Sequence, residues 1–220
     1  MARIARIIAP DYPHHITQRG NRRQQTFFCD DDYLVYIDLV AQWCRHYNVD
    51  IWAWCLMPNH VHLIAVPKTL EGLTRAIGEA HRRYTRHINF RENWRGHLWQ
   101  GRFASFPMDE QHLLAAARYI EMNPVAAELV QHPENYRWSS ACAHLEGKND
   151  KLTSVAPLLG LVADWSKFLS LSSTEERELL HRHERTGRPM GTKSFVEKLE
   201  QTLGRVLQPQ KPGPKKNKVS

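Results

Sequence analysis

The sequence predicts an α+β fold: a ferredoxin-like split βαβ antiparallel sheet with helices on one face, followed by a helical C-terminal extension and a basic disordered tail. Three observations predict it. Hydrophobic periodicity runs in the order strand, helix, strand, strand, helix, strand. Only Pro58 and Asn59 separate the two middle strands, which is hairpin spacing. Beyond Arg137 the strand-like segments give way to helical ones.

The elements follow in order. His14 to Arg19 reads as a strand, and Gly20-Asn21-Arg22-Arg23-Gln24-Gln25 as the polar turn after it. Asp30 to His46 reads as a helix whose acidic start suits the helix dipole. Val49 to Met57, rich in tryptophan and isoleucine, is the next strand. His60-Val61-His62-Leu63-Ile64-Ala65-Val66-Pro67 follows as a short β-branched strand bounded by prolines. Leu73, Ile77, Ala80, Tyr84 and Ile88 recur at helical spacing between Leu70 and about Phe90. Phe103 to Met108 closes the sheet, and Asp109 to Met122 is a last helix. Helices on one face would leave the other open, with the histidines on the open face and Val61 and Leu63 against the helices.

This gives a sheet-bearing domain over residues 1–145, a helical extension over 146–205 that is a candidate for DNA binding, and a tail over 206–220. The extension has helix-start signals at Ser173-Thr174-Glu175-Glu176 and Ser194-Phe195-Val196-Glu197, with Thr186-Gly187-Arg188-Pro189 between them. From Arg205 onward there are five basic residues and no acidic one, a composition that favours disorder. Lys215 and Lys216 there suit a phosphate backbone, although a charge run also suits a solvated end.

Composition narrows the function classes. A net charge of +7 favours an anionic partner, nucleic acid above all. No apolar run approaches the roughly 20 residues that span a bilayer, and the N-terminus is too short in apolar residues for a secretory signal. The four cysteines are scattered with no C-x-x-C pair, which fits a reducing cytoplasm.

The chemistry begins with His60 and His62. Residues two apart in a strand share a face, so both imidazoles point the same way, a start on a metal site. Further along, Leu113, Ala117 and Ile120 form a buried stripe, and Tyr119 lies roughly 120° from Leu113 on a helical wheel. Asn123, four residues on, shares the side of Tyr119. A tyrosine hydroxyl can attack a phosphodiester and hold one end of the cut strand. A divalent ion held by His60, His62 and the Asn123 amide would stabilise the charge that develops. Spacing alone equally allows Tyr119 as a helix-packing residue and Asn123 as the N-cap of a new helix, Pro124-Val125-Ala126-Ala127-Glu128. Tyr84, in Arg82-Arg83-Tyr84-Thr85-Arg86, continues an apolar stripe and reads as core.

Together the histidine strand, Arg19-Gly20-Asn21, Leu98-Trp99-Gln100-Gly101-Arg102-Phe103, Tyr119-Ile120-Glu121-Met122-Asn123-Pro124 and Trp138-Ser139-Ser140 resemble the REP-associated tyrosine transposases, relatives of the HUH single-tyrosine transposases. The resemblance covers roughly residues 10–145. It implies Tyr119 as nucleophile, His60, His62 and Asn123 as metal ligands, and Mg²⁺ or Mn²⁺ as the ion. It also implies nicking and strand transfer on single-stranded DNA at hairpins, through a 5′-phosphotyrosine with a free 3′-hydroxyl. Arg19, Asn21, Arg22, Arg23 and Arg102 are expected on the DNA, the arginines also reading as a solvated turn or structural pairs. A hairpin-binding regulator that does not cut and a hydrolase of small phosphoesters are the competing readings. Monomer and homodimer both remain open.

Overall fold

The computed structural model describes residues 5–171 and 174–208. Most of the basic tail, Lys215 and Lys216 included, lies outside them. Strands β1 (His14–Arg19), β2 (Val49–Met57), β3 (His60–Pro67) and β4 (Ala104–Pro107) form one sheet in the order β2-β3-β1-β4. Every neighbouring pair is antiparallel. That is the split βαβ arrangement the element order predicts.

Two long helices, α1 (Asp30–His46) and α2 (Gly72–Arg91), connect the strands. The start of α1 is fixed by Asp32, whose carboxylate accepts from the Phe28 and Cys29 backbone amides and pairs with Arg91 of α2. The two helices pack on each other and on β2 and β3. Tyr36, Val40, Leu73, Ile77, Ala80 and Tyr84 join Ile16, Val61 and Leu63 in the main core.

The sheet's other face is not open. Helix α3 (Glu110–Ala126) packs on β2 and β3. It begins at Asp109, whose side chain accepts from the His112 amide as a proper N-cap. It runs on through Asn123 and Pro124, so no new helix begins there. Asn123 is an interior helical residue and not an N-cap.

Helix α4 (Ala141–Glu146) ends the first domain, and the extension contributes α5 (Ala156–Leu159), α6 (Trp165–Ser170), α7 (Thr174–Thr186) and α8 (Lys193–Leu203). Leu158, Trp165, Phe168, Leu180 and Met190 enter the same core cluster as the sheet. The Met190 amide bonds the Pro107 carbonyl at the end of β4, and α7 packs on both α3 and β4. The histidine face is therefore roofed by α3 and α7. Among the described residues, no helix is long and apolar enough to cross a membrane.

Candidate active site

Strand register builds the site. On β3, His60 and His62 share a face, and across to β1 they stand opposite Arg19 and Thr17. His15, opposite Ile64, lies on that face two residues before Thr17. The rings of His15 and His62 stack with centroids 5.3 Å apart, and His15 Nε2 is 3.1 Å from His62 Nδ1. His60 and His62 meet edge to face at 5.0 Å.

Helix α3 delivers Tyr119 onto this cluster. Its ring meets His62 edge-on at 5.3 Å and His15 at 6.2 Å. Two of the sequence motifs explain how α3 is held. Glu121, fully buried, accepts from Ser140 Oγ at 2.6 Å and Trp165 Nε1 at 2.8 Å, and pairs with His144 Nδ1 at 2.6 Å. Ser140 in turn accepts from the Trp54 amide on β2. The glutamate beside the tyrosine and the serine after Trp138 thus clamp α3 to the sheet.

A third motif pair shapes the entrance. The Gln100 amide bonds the Arg19 carbonyl, the Asn21 amide bonds the Leu98 carbonyl, and Gln18 Nε2 bonds the Gly101 carbonyl. Asn59 bridges the turn to the site, donating to the Arg23 carbonyl while its Oδ1 lies 2.6 Å from His60 Nδ1. Gly20 is required here, since a Cβ would lie 2.2 Å from the Gln24 carbonyl oxygen. Arg22 and Arg23 both adopt left-handed backbone conformations, φ 53° and 62°. Such strain in non-glycine residues gathers at functional turns.

The cleft so formed measures about 570 Å³ and is lined by His60, His62, Arg19, Arg23, Arg102 and Gln100, among others. Asn21 and Arg22 are not among its lining residues, and Asn123 lies one turn beyond Tyr119 on α3. From the other side α7 brings three residues that sequence reading missed: His181, Glu184 and Arg185. His181 meets the Tyr119 ring edge-on at 5.7 Å, and its Nδ1 is 3.1 Å from Glu184 Oε2. It belongs to the site. The signal was the spacing of His181 and Glu184, three apart on one helical face. For His15 it was the strand alternation of β1, which becomes informative only once the register with β3 is known.

The electrostatics suit a neutral, ligand-ready cluster. Burial lowers His15 and His60 to about 4, and burial with the neighbouring imidazoles holds His62 well below its ordinary value. Burial raises the Tyr119 hydroxyl, and Glu184 raises it further, while the Asn123 amide acts the other way. Burial also opposes ionisation of Glu184, but the hydrogen bond from His181 and the surrounding positive charge, Arg19 included, outweigh it. Glu184 is an ionised carboxylate beside a neutral phenol.

The model of a family described as IS200-like transposase matches residues 10–123. No curated protein matches. Among solved structures, one described as a REP-associated tyrosine transposase bound to a REP hairpin is similar with a TM-score of 0.58 and 20% identity, covering 70% of this chain and 92% of that one. A putative transposase from Deinococcus radiodurans R1 overlays with a TM-score of 0.38 at 20% identity, over 55% and 96% of the two chains.

Proposed function

Because this chain belongs to the IS200-like transposase family, we propose that it nicks single-stranded DNA beside a hairpin and transfers the strand through Tyr119. Family membership makes it a DNA-processing enzyme. The observation that carries the finer reading is the docking of the Tyr119 ring onto His62 beside a cleft lined by arginines. The similar solved structure holding a REP hairpin supports a palindromic DNA substrate.

On this reading the labour is divided between the two segments. Residues 1–145 carry the chemistry, and residues 146–205 roof it and add cleft residues. Arg19, Arg23 and Arg102 attract the phosphodiester and orient it, since guanidinium groups match phosphate oxygens. Asn21 and Arg22, in the same strained turn, reach the flanking backbone. Lys215 and Lys216 add sequence-independent attraction.

The Tyr119 oxygen attacks phosphorus and the bond from phosphorus to the 3′ oxygen breaks. The strand's 5′ phosphate becomes esterified to the tyrosine. The proton lost by the phenol ends on the leaving 3′-hydroxyl. One phosphoester is made for each one broken, so the step reverses and the strand can be rejoined to a new 3′ end.

The donor set fits a divalent ion. His62 Nε2 and His15 Nδ1 are buried without a hydrogen-bond partner, and the imidazoles are neutral. His60, His62 and the Asn123 amide are the residues that would hold Mg²⁺ or Mn²⁺. Such an ion supplies charge neutralisation on the phosphate oxygens and polarises the phosphorus.

The test is incubation of the full chain with a hairpin-bearing single-stranded oligonucleotide and Mn²⁺, then denaturing electrophoresis. Wild type forms a covalent adduct and Tyr119→Phe forms none. An adduct undiminished in Tyr119→Phe, or absent from wild type that binds the hairpin tightly with or without chelator, sinks the reading.

A further inference from the structure

Glu184 lies on α7, outside the residues that match the family model. Its side chain is only 16% exposed, and its Oε1 stands 4.0 Å from His62 Nδ1. One ligand atom from each of His15, His62 and Glu184 can be chosen so that all lie within 4.8 Å of one another. Two atoms bound to one ion at about 2.1 Å stand roughly 3 to 4.2 Å apart, at right angles or opposite each other. The separation of 4.0 Å between His62 Nδ1 and Glu184 Oε1 falls in that span.

Chemistry asks for such a group. Two imidazoles and an amide form a neutral ligand set, whereas Mg²⁺ and Mn²⁺ favour carboxylate oxygens. A second difficulty is resolved at the same time. An ionised carboxylate in a cleft built for phosphate repels the substrate and opposes loss of the tyrosine proton. A divalent cation seated against the carboxylate reverses the local sign. His181, edge-on to the Tyr119 ring, holds the other carboxylate oxygen and so ties the ligand to the nucleophile.

We propose that Glu184 is a carboxylate ligand of the divalent cation at the strand histidines, so that helix α7 of the extension completes the active centre. The inference rests on the metal-dependent reading above for the presence of the ion. It adds that the site draws a ligand from the extension as well as from residues 1–145. It also makes DNA affinity depend on the metal, because the bare carboxylate repels phosphate.

Mn²⁺ titration of the full chain, followed by the electron paramagnetic resonance signal of free Mn²⁺, tests this without any DNA. Glu184→Gln is expected to weaken Mn²⁺ binding at least tenfold, and Glu184→Asp less, with unchanged circular dichroism. Mn²⁺ should strengthen hairpin binding by wild type and leave binding by Glu184→Gln unaffected. Unchanged or tighter Mn²⁺ affinity in folded Glu184→Gln overturns the proposal. If metal-free hairpin binding also tightens, the carboxylate merely occupies the place of the phosphate. Should Glu184→Gln not fold, Glu184→Asp decides, an undiminished Mn²⁺ affinity being the negative result. Glu184-dependent Mn²⁺ binding with no Tyr119 adduct would defeat the nicking reading and leave this one standing. A normal adduct with unaltered Mn²⁺ affinity in Glu184→Gln would do the reverse.

Discussion

The two faces of the sheet carry the same residue types and treat them in opposite ways. Under α1 and α2, the Tyr36 hydroxyl lies 2.8 Å from His81 Nε2, and Tyr84 donates to the Thr26 carbonyl at 2.7 Å. Under α3 and α7, Tyr119, His15 and His62 pack as closely, yet His62 Nε2 and His15 Nδ1 find no partner. Each buried polar group left unpaired costs about 1–3 kcal/mol. A fold tolerates that cost where another agent uses the group. Residue type and burial therefore do not separate scaffold from site here; among the histidines of the two faces hydrogen-bond satisfaction does, although the indole N–H groups of Trp43 and Trp99 on the α1 and α2 side are unpaired as well.

Removing the shared histidine should break the comparison most sharply. His62→Ala is expected to cut adduct formation at least about 100-fold, or about 2.7 kcal/mol in barrier. Hairpin affinity, set mainly by the arginines, should change only a few-fold. A gel-shift and adduct assay on the same oligonucleotide measures both. If binding and cutting fall in step, His62 is structural, and the two faces are alike after all.

A pH series probes the satisfied face. Burial, with Arg6 nearby, lowers His81 to about 3, against an ordinary 6.5 once the chain unfolds. The unfolded chain therefore binds one more proton than the folded chain between those values. Stability from this residue is complete above about pH 6.5 and is lost as pH falls toward 3. Between about pH 6 and 4, the unfolding free energy of wild type should climb more steeply with pH than that of His81→Gln. The difference in slope should be about 1.4 kcal/mol per pH unit. Urea denaturation across that range reads it, and equal slopes would show that His81 is not held neutral by burial. Cutting by the variant, assayed near neutral pH, should stay within a few-fold of wild type.

The contrast between the faces also explains what could be read from the chain. Strand and helix identity were legible because periodicity and the two-residue hairpin are local properties: His14–Arg19, Asp30–His46 and Val49–Met57 end where the pattern predicts. The end of α3 was not legible, since Pro124 ordinarily stops a helix. Here packing and the Glu121 network carry α3 past it to Ala126. The covering of the second face was equally hidden, because α7 meets β4 and α3 only through long-range contacts. His60 and His62 declare a shared face within three residues. His15, His181 and Glu184 join them only through register and docking, which no local pattern encodes.

The smallest expected effect is also the cleanest control. Tyr84→Phe removes one hydroxyl whose hydrogen bond to the Thr26 carbonyl is buried and complete. The ring stays packed against Phe27, Tyr36 and Trp99. The loss should be about 1 kcal/mol of stability, a typical net hydrogen bond, with somewhat more if the carbonyl is left unpaired. Adduct formation should match wild type within about twofold, because Tyr84 lies across the sheet from His62. Urea denaturation and the adduct assay together check it. A strong loss of cutting with little loss of stability would mean that the α1 and α2 face takes part in the chemistry. The face of the sheet would then no longer mark which tyrosine acts.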